Sequence, residues 1–167
     1  MCGIAGMVGT GASERVRSMT DALVHRGPDD GGYYDDPPSH LCLGMRRLSI
    51  LDLEHGHQPM ANRDQSVWIV YNGEIFNSPE LRRQLEQRQH RFVTANSDTE
   101  TLLKLYDEKQ ENMLADLNGM FAFVLHDRKR NLLFGARDRL GIKPLYYART
   151  PAAFGFASEL KSLLRMS

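Results

Sequence analysis

A cysteine stands directly after the initiator methionine, in Met1-Cys2-Gly3-Ile4-Ala5-Gly6. Removal of Met1 would leave a thiol and a free α-amine on one residue. An α-amine titrates near ~7.7–8.0, so roughly a tenth of it is neutral at pH 7. A neutral amine beside a thiol is a built-in general base, the N-terminal counterpart of a Cys–His pair. Gly3 and Gly6 carry no side chain to crowd a substrate approaching the backbone. The plainer reading makes Cys2 a small apolar residue at the head of a strand. Six residues by themselves favour that reading, because short motifs carry false positives.

A thiol attacking a carbonyl also needs donors for the oxyanion and groups that hold the substrate. Asn72-Gly73 reads as a turn that could offer a side-chain amide and a backbone N–H side by side. An α-amino-acid substrate would need a cation for its carboxylate and an anion for its ammonium. Arg47 is a candidate for the first, by bidentate pairing, and Asp98 for the second. Each has its ordinary alternative: a simple turn, a surface ion pair, a helix cap. Spacing alone does not bring the four groups together. His55 and His57 invite a metal reading, but no partner with ligand spacing accompanies them, and no metal is expected.

These residues need elements to position them. The chain has 167 residues, 41% hydrophobic and 25% charged, enough for one globular domain with a core. Lys plus Arg and Asp plus Glu number 21 each. That balance argues against a nucleic-acid binder or a ligand of anionic membranes, which would be basic. No apolar run approaches the ~20 residues of a membrane span. Cys2 and Cys42 are the two cysteines, too few for a disulfide framework and suited to a reducing cytoplasm.

Residues 4–8 are short, apolar and bounded by glycine, which predicts a buried strand. Ser13 caps an expected helix to about residue 24, ended by the Gly, Pro and Asp of 26–32, a loop by composition. Strands are expected from Tyr33-Tyr34, at 41–45 and 48–51, and at 66–71 up to the Asn72-Gly73-Glu74 turn. A helix is expected from Ser78 as N-cap, with Pro79 first, to about 89. A second runs from a Ser97 or Asp98 cap to about 108. Residues 120–126 and 132–136 flank a basic tip and read as a hairpin. Strands at 145–148 and 154–157 follow, and Ser158-Glu159 opens a last helix through Leu163 and Leu164. Many short strands with few helices between them suggest layered antiparallel sheets covered by helices.

Beyond these patterns, the chain closely resembles the class II glutamine amidotransferases, which use an N-terminal cysteine nucleophile, and among them the asparagine synthetase type. The matching stretches are Met1-Cys2-Gly3-Ile4, HRGPDDGG from His25, RLSILDL from Arg47, GHQPM from Gly56, YNGEIFN from Tyr71 and SDTE from Ser97. NGMFAFVLHD from Asn118, RDRLGIKPLYY from Arg137 and FASELKSLL from Phe156 complete them, in family order over nearly the whole chain. The resemblance implies an α+β fold, the N-terminal nucleophile hydrolase sandwich: four αββα layers, two antiparallel sheets between helices. It implies Cys2 as nucleophile and Asn72 with Gly73 as oxyanion hole. Arg47 would hold the α-carboxylate of glutamine, and Asp98, with Glu74 and Gly73 nearby, the ammonium end. Arg26 belongs to a motif that packs beside the nucleophile and would support it. Met45, two before Arg47, departs from the histidine common in relatives.

The implied activity is hydrolysis of L-glutamine to L-glutamate and ammonia through a Cys2 thioester, with no cofactor for this half. ATP and Mg would belong to a synthetase domain or subunit that accepts the ammonia to amidate aspartate. No Ser-Gly-Gly-x-Asp loop of such a domain is present in residues 1–167, which are read as one glutaminase domain. A free-standing amidase, an ammonia donor to another acceptor, and a glutamine-binding regulatory domain are the alternatives. No nucleic-acid or membrane partner is expected, and a cytoplasmic location is.

Overall fold

The computed structural model describes residues 1–48 and 57–166. Among these, nine strands and four α-helices form two sheets with helices on their outer faces. The expected strand at 48–51, His55 and most of the RLSILDL run lie outside the described residues.

The chain enters on β1 (Gly3–Gly9), turns through α1 (Ala12–Asp21), and returns on β2 (Asp30–Asp36) and β3 (Leu41–Arg47). A two-residue strand, β4 (Met60–Ala61), precedes the long β5 (Val67–Ile75). Two helices follow, α2 (Ser78–Gln87) and α3 (Asp98–Lys109), then a 3-10 segment (Gln110–Ala115). The hairpin of β6 (Gly119–Asp127) and β7 (Leu132–Arg137) leads to β8 (Tyr146–Arg149), β9 (Ala153–Ala157) and the short α4 (Leu160–Leu163). One sheet has the order β2-β3-β1-β9-β8, the other β4-β5-β6-β7, and every pairing is antiparallel.

The period of two along each strand sorts side chains to two faces. In β1, Ile4 faces the second sheet while Ala5 and Met7 face α1. In β3, Leu41, Leu43 and Met45 face inward and Cys42 outward. Val70 of β5 and Ala122 and Val124 of β6 meet them across the sandwich. Ile69, Tyr71, Phe121, Phe123 and Leu125 point the other way, under Leu81, Leu85, Leu102, Leu103 and Tyr106 of α2 and α3. Three apolar interfaces therefore separate four layers, α1/α4, sheet, sheet, α2/α3, the expected αββα order. Gly44 lets α1 lie flat on β3: a Cβ there would stand 2.6 Å from Thr20 Cγ2 and 2.8 Å from Val16 Cγ1.

Several local expectations are corrected. Gly11, in the left-handed region, precedes α1 where Ser13 was expected to cap it. Asn77, not Ser78, is the N-cap of α2, and Ser78 turns its hydroxyl to Thr101 Oγ1 at 3.1 Å. β2 starts at Asp30, inside the expected loop, because Asp30 to Gly32 pair with Arg47 to Met45 of β3. β3 itself runs unbroken through Arg46 and Arg47. For α3 the cap is Ser97, whose Oγ accepts the Glu100 N–H, and Asp98 becomes the first helical residue.

At the end of the sandwich away from Cys2, Tyr34 stacks on Trp68 with ring centroids 4.2 Å apart, joining the sheets. Beside them His126 is 2% exposed and its Nδ1 makes no hydrogen bond. Nδ1 lies 3.7 Å from Asp36 Oδ2. Burial holds the His126 imidazole below its ordinary 6.5, and Arg128 adds to this, while the Asp36 and Asp127 carboxylates oppose it. The unfolded chain therefore binds the proton more readily than the folded one, and stability is lost as pH falls below 6.5. Urea denaturation should show the wild type weakening between pH 7.5 and 5. His126→Phe should flatten that stretch of the curve, and an equally steep curve in the variant would assign the loss to other groups.

Candidate active site

Cys2 stands one residue before β1, the central strand of the five-stranded sheet. It is half-buried, makes no disulfide, and packs on the inner face with the Ile4 cluster. Gly3 lies opposite Arg46 and Ile4 opposite Met45. Continuing that register by one residue puts Cys2 opposite Arg47, which in turn lies opposite Asp30 of β2. Arg47, 7% exposed, has a side chain on the same inward face by the alternation of β3. Its charge reaches Asp30. Burial raises the Asp30 carboxyl, but the His57 contact at 2.8 Å, the Gly31 N–H and the His57 and Arg47 charges outweigh it and hold the group below 3.8.

Across the sandwich lies β5. The expected Asn72-Gly73-Glu74 turn is not a turn: all three residues continue the strand, opposite Ala122, Phe121 and Met120 of β6. Gly73 is required here by close approach. A Cβ would stand 2.3 Å from Met120 O and 2.7 Å from Phe121 Cα. Asn72 shares the inward face of Val70 and is 2% exposed. Its Nδ2 has no hydrogen-bond partner, an expensive state for a buried amide. Among the described residues, then, a buried donor without an acceptor sits on the face that looks toward Cys2.

The odd-numbered amides of β5 point to the opposite edge from β6. Tyr71 N donates to Gln58 Oε1 at 2.7 Å, and Ile75 N donates to Asp98 Oδ2 at 3.2 Å. Gly73 N–H lies between them on that edge, beyond the two residues that β4 covers. The strand thus presents a side-chain donor and a backbone donor at adjacent residues, the pairing expected of a turn but delivered by a strand.

Asp98 reaches this edge from the first turn of α3, where the helix N-terminus favours its charge. Tyr71 Oη donates to Asp98 Oδ2 at 2.6 Å. Burial raises the Asp98 carboxyl above its ordinary 3.8. The Tyr71 hydroxyl and the Ile75 amide, with two nearer backbone amides, restrain that rise. Tyr71 is itself pushed well above 10.0, first by burial and then by the charges of Asp98, Glu74 and Cys2. One phenol therefore feels the charges of Cys2, the exposed Glu74 and Asp98 together, which gathers these three candidates around Tyr71, with an anionic side suited to an ammonium.

Arg26, from the segment after α1, donates from Nε to Cys2 O at 3.0 Å and from Nη1 to Glu159 Oε1 at 3.0 Å. Lys143, almost fully buried, directs Nζ to Met1 Sδ at 3.6 Å. Tyr71, Gln58, Lys143 and Glu159, which touch Asp98, Tyr71, Met1 and Arg26 in turn, are neighbours of the candidates that reading by residue type misses. Their signal is membership in the matching stretches, which names a run without saying which member points inward.

With this geometry in view, known proteins supply the comparison. The family model described as "Glutamine amidotransferase domain" matches residues 1–167. Asparagine synthetase [glutamine-hydrolyzing] 1 of Bacillus subtilis is 44% identical over 171 residues, covering 98% of this chain and 27% of the relative. Putative asparagine synthetase [glutamine-hydrolyzing] 2 of Methanocaldococcus jannaschii is 40% identical, covering 98% of this chain and 35% of the relative. This chain therefore spans about a third or less of these relatives. Glutamine phosphoribosylpyrophosphate amidotransferase from B. subtilis, solved with ADP and GMP, superposes with a TM-score of 0.82. That match has 22% identity and covers 97% of this chain and 43% of the other, so it bears on the fold.

The Asp98 environment yields a direct test. Tyr71→Phe removes the leading group that stabilises the ionised carboxyl, so the Asp98 pKa should rise further. Carboxyl 13C shifts followed against pH would report it. An unchanged or lower midpoint would show that the phenol does not stabilise the carboxylate.

Proposed function

This chain belongs to the glutamine amidotransferase family, and from that premise we propose that it releases ammonia from L-glutamine with Cys2 as the nucleophile. The observation that carries the proposal is the buried, unpartnered Nδ2 of Asn72 facing the Cys2 side of the sandwich. A tetrahedral oxyanion formed at that place would satisfy it, with Gly73 N–H as a second donor.

The substrate lies with its α-carboxylate on Arg47 and its ammonium toward Asp98 and Glu74, leaving the side-chain amide at Cys2. The Cys2 α-amine takes the thiol proton as the sulfur bonds to the amide carbon, and the carbonyl oxygen becomes the oxyanion held by Asn72 and Gly73. Collapse expels ammonia, which takes a proton from the Cys2 α-ammonium, and leaves a thioester. The α-amine then accepts a proton from water as its oxygen attacks the thioester carbon, and glutamate departs as the thiol re-forms. Every step needs Met1 removed, since its peptide bond converts the base into an amide. Arg26, through the Cys2 carbonyl, supports the nucleophile from behind.

This half of the reaction calls on no metal or organic cofactor. The relatives are named asparagine synthetases. We infer that the ammonia serves an ATP- and Mg-dependent amidation of aspartate on a synthetase domain or subunit. Residues 1–167 act as the single glutaminase domain in this arrangement. The two cysteines form no disulfide, and no helix among the described residues is long and apolar enough to cross a membrane. We infer a cytoplasmic location from the two free thiols, which suit a reducing compartment.

Variants should separate binding from chemistry. Cys2→Ala should abolish ammonia release while the domain stays folded. Asn72→Ala should lower kcat by ~10²–10³-fold, the scale of other oxyanion donors. Arg47→Ala and Asp98→Asn remove contacts to the charged ends of glutamine and should chiefly raise KM. Because the Asp98 carboxyl titrates above 3.8, the wild-type KM should climb as pH falls toward that range, and Asp98→Asn should lose the climb. Residual turnover by Cys2→Ala, or an Asn72→Ala effect confined to KM, would contradict these assignments.

A further inference from the structure

The strand that carries the nucleophile is fastened by the far end of the chain. Ser158, fully buried, donates its amide to Ile4 O at 2.8 Å and accepts the Ile4 N–H on its hydroxyl at 3.0 Å. The next residue, Glu159, accepts from Arg26 Nη1, and Arg26 Nε reaches Cys2 O, both at 3.0 Å. Glu159, Arg26 and Cys2 thus form one relay, linking the N-cap of α4 to the first residue of the processed chain.

The relay matters because of where Cys2 sits. Once Met1 is gone, Cys2 is tethered by a single peptide bond and lies outside the β1 ladder. Its carbonyl lies in the plane of the Cys2–Gly3 peptide, so holding that oxygen fixes the plane and with it the position of Cys2 Cα, from which both the thiol and the α-amine project. Arg26 Nε fixes that carbonyl. An arginine side chain has several rotatable bonds, and its guanidinium, in a side chain 9% exposed, is an expensive cation to leave unpaired. Glu159 supplies the pairing and sets the plane of the fork.

We propose that Glu159 is a positioning residue for glutamine hydrolysis, holding Arg26 on the Cys2 carbonyl so that the thiol points at the amide carbon in front of Asn72. The inference rests on Cys2 being the nucleophile. Glu159 also meets His25 Nε2 at 2.9 Å and Lys161 Nζ at 3.3 Å, both on exposed side chains. Burial opposes its ionisation, but the contacts with Arg26, His25 and Lys161 prevail and hold its carboxyl at about 2. It therefore stays charged across the working range, and its effect carries no pH dependence near neutrality.

A mere staple for α4 would affect melting and leave turnover alone, which the experiment separates. Wild type, Cys2→Ala, Glu159→Ala, Glu159→Gln and Lys161→Met would be assayed for ammonia release, with intact mass confirming loss of Met1 and thermal melts confirming the fold. Glu159→Ala should lower kcat by ~10–100-fold with KM nearly constant, the scale of a nucleophile displaced by about an ångström. Glu159→Gln keeps an oxygen that accepts from Arg26 and should recover part of the loss. Lys161→Met removes a partner that does not touch Arg26 and should match wild type. Capture of Cys2 by a chloroketone analogue of glutamine, read by mass, should slow in parallel with kcat.

Wild-type kcat in a folded Glu159→Ala, or a loss confined to KM, would overturn the proposal. If Glu159→Ala does not fold, Glu159→Gln decides: wild-type melting with reduced kcat supports it, and full kcat overturns it. A wild type that releases no ammonia and resists the chloroketone would bring down the Cys2 reading, and this inference with it. Activity lost in Cys2→Ala but intact in both Glu159 variants would bring down this inference alone.

Discussion

The ends of a chain fray before anything else does, and here the thiol stands at residue two. Fraying is countered by giving β1 the centre of its sheet, with β3 on one side and β9 on the other. β3 brings Arg47 beside the thiol. β9 brings Ser158 and Glu159, the residues that close on Ile4 and, through Arg26, on Cys2. The two strands flanking β1 come from positions far apart in the chain. Order at the N-terminus therefore waits for the whole first sheet to assemble. A local hairpin could not do this, because it would leave β1 with an open edge beside the nucleophile.

The interior between the sheets is apolar in its middle and polar at both ends, and the two ends are polar for different reasons. Near Cys2, Asn72 Nδ2 is buried and without a partner, with Arg47 and Asp30 on the facing sheet and Asp98 at the β5 edge. At the other end His126 Nδ1 and Tyr34 Oη are also buried and without partners, yet they stand with Asp36 behind a stacked Tyr34–Trp68 pair. Burial alone does not tell the two apart. What distinguishes Asn72 is its neighbours: the Gly73 N–H at the next residue and the Cys2 thiol on the facing sheet. Around His126 the neighbours are instead the Tyr34 hydroxyl and the Asp36 and Asp127 carboxylates, and the cost shows up as pH-dependent stability instead of chemistry.

Much of this was legible in the residues. Cys2 after Met1 stands out because of its peculiar chemistry, and the hairpin of β6 and β7 because its alternation brackets a charged tip. Ser97 ahead of an apolar-periodic run marks α3. The misreadings share a cause. Asn72-Gly73 has the composition of a turn, but Gly73 is there to let β6 pass within 2.3 Å of a would-be Cβ, a tertiary demand with no local signature. Asp30 to Gly32 look like loop because β2 draws its pairing from β3 and not from its own propensity. Likewise Gly11 replaced Ser13 as the start of α1 because a left-handed residue was needed to leave β1. The resemblance to glutamine amidotransferases supplied what composition could not, the grouping of distant runs. It did not reveal that Tyr71 bonds Asp98 within the field of Glu74 and Cys2, since that contact depends on a helix terminus meeting a strand edge.

That contact bears on how the site selects its substrate. A carboxyl as buried as Asp98 is stabilised by Tyr71 and Ile75 but still titrates above its ordinary value, so its charge is under-compensated in the protein alone. An ammonium arriving beside it supplies the missing cation, and binding and ionisation then favour each other. A ligand lacking the ammonium gains nothing from Asp98 and leaves a poorly solvated anion in place. In the proposed pose the substrate carboxylate meets Arg47, whose charge also reaches Asp30, so two carboxylates would share the field of one cation. On the proposed function, the two ends of an α-amino acid would thus be read unequally. An ammonium there would relieve an existing electrostatic cost, whereas the carboxylate would meet a cation whose field already reaches Asp30. Discrimination among γ-amides should therefore be sharper at the amine end, and the residue that sets it is the first of α3, whose position depends on the Ser97 cap.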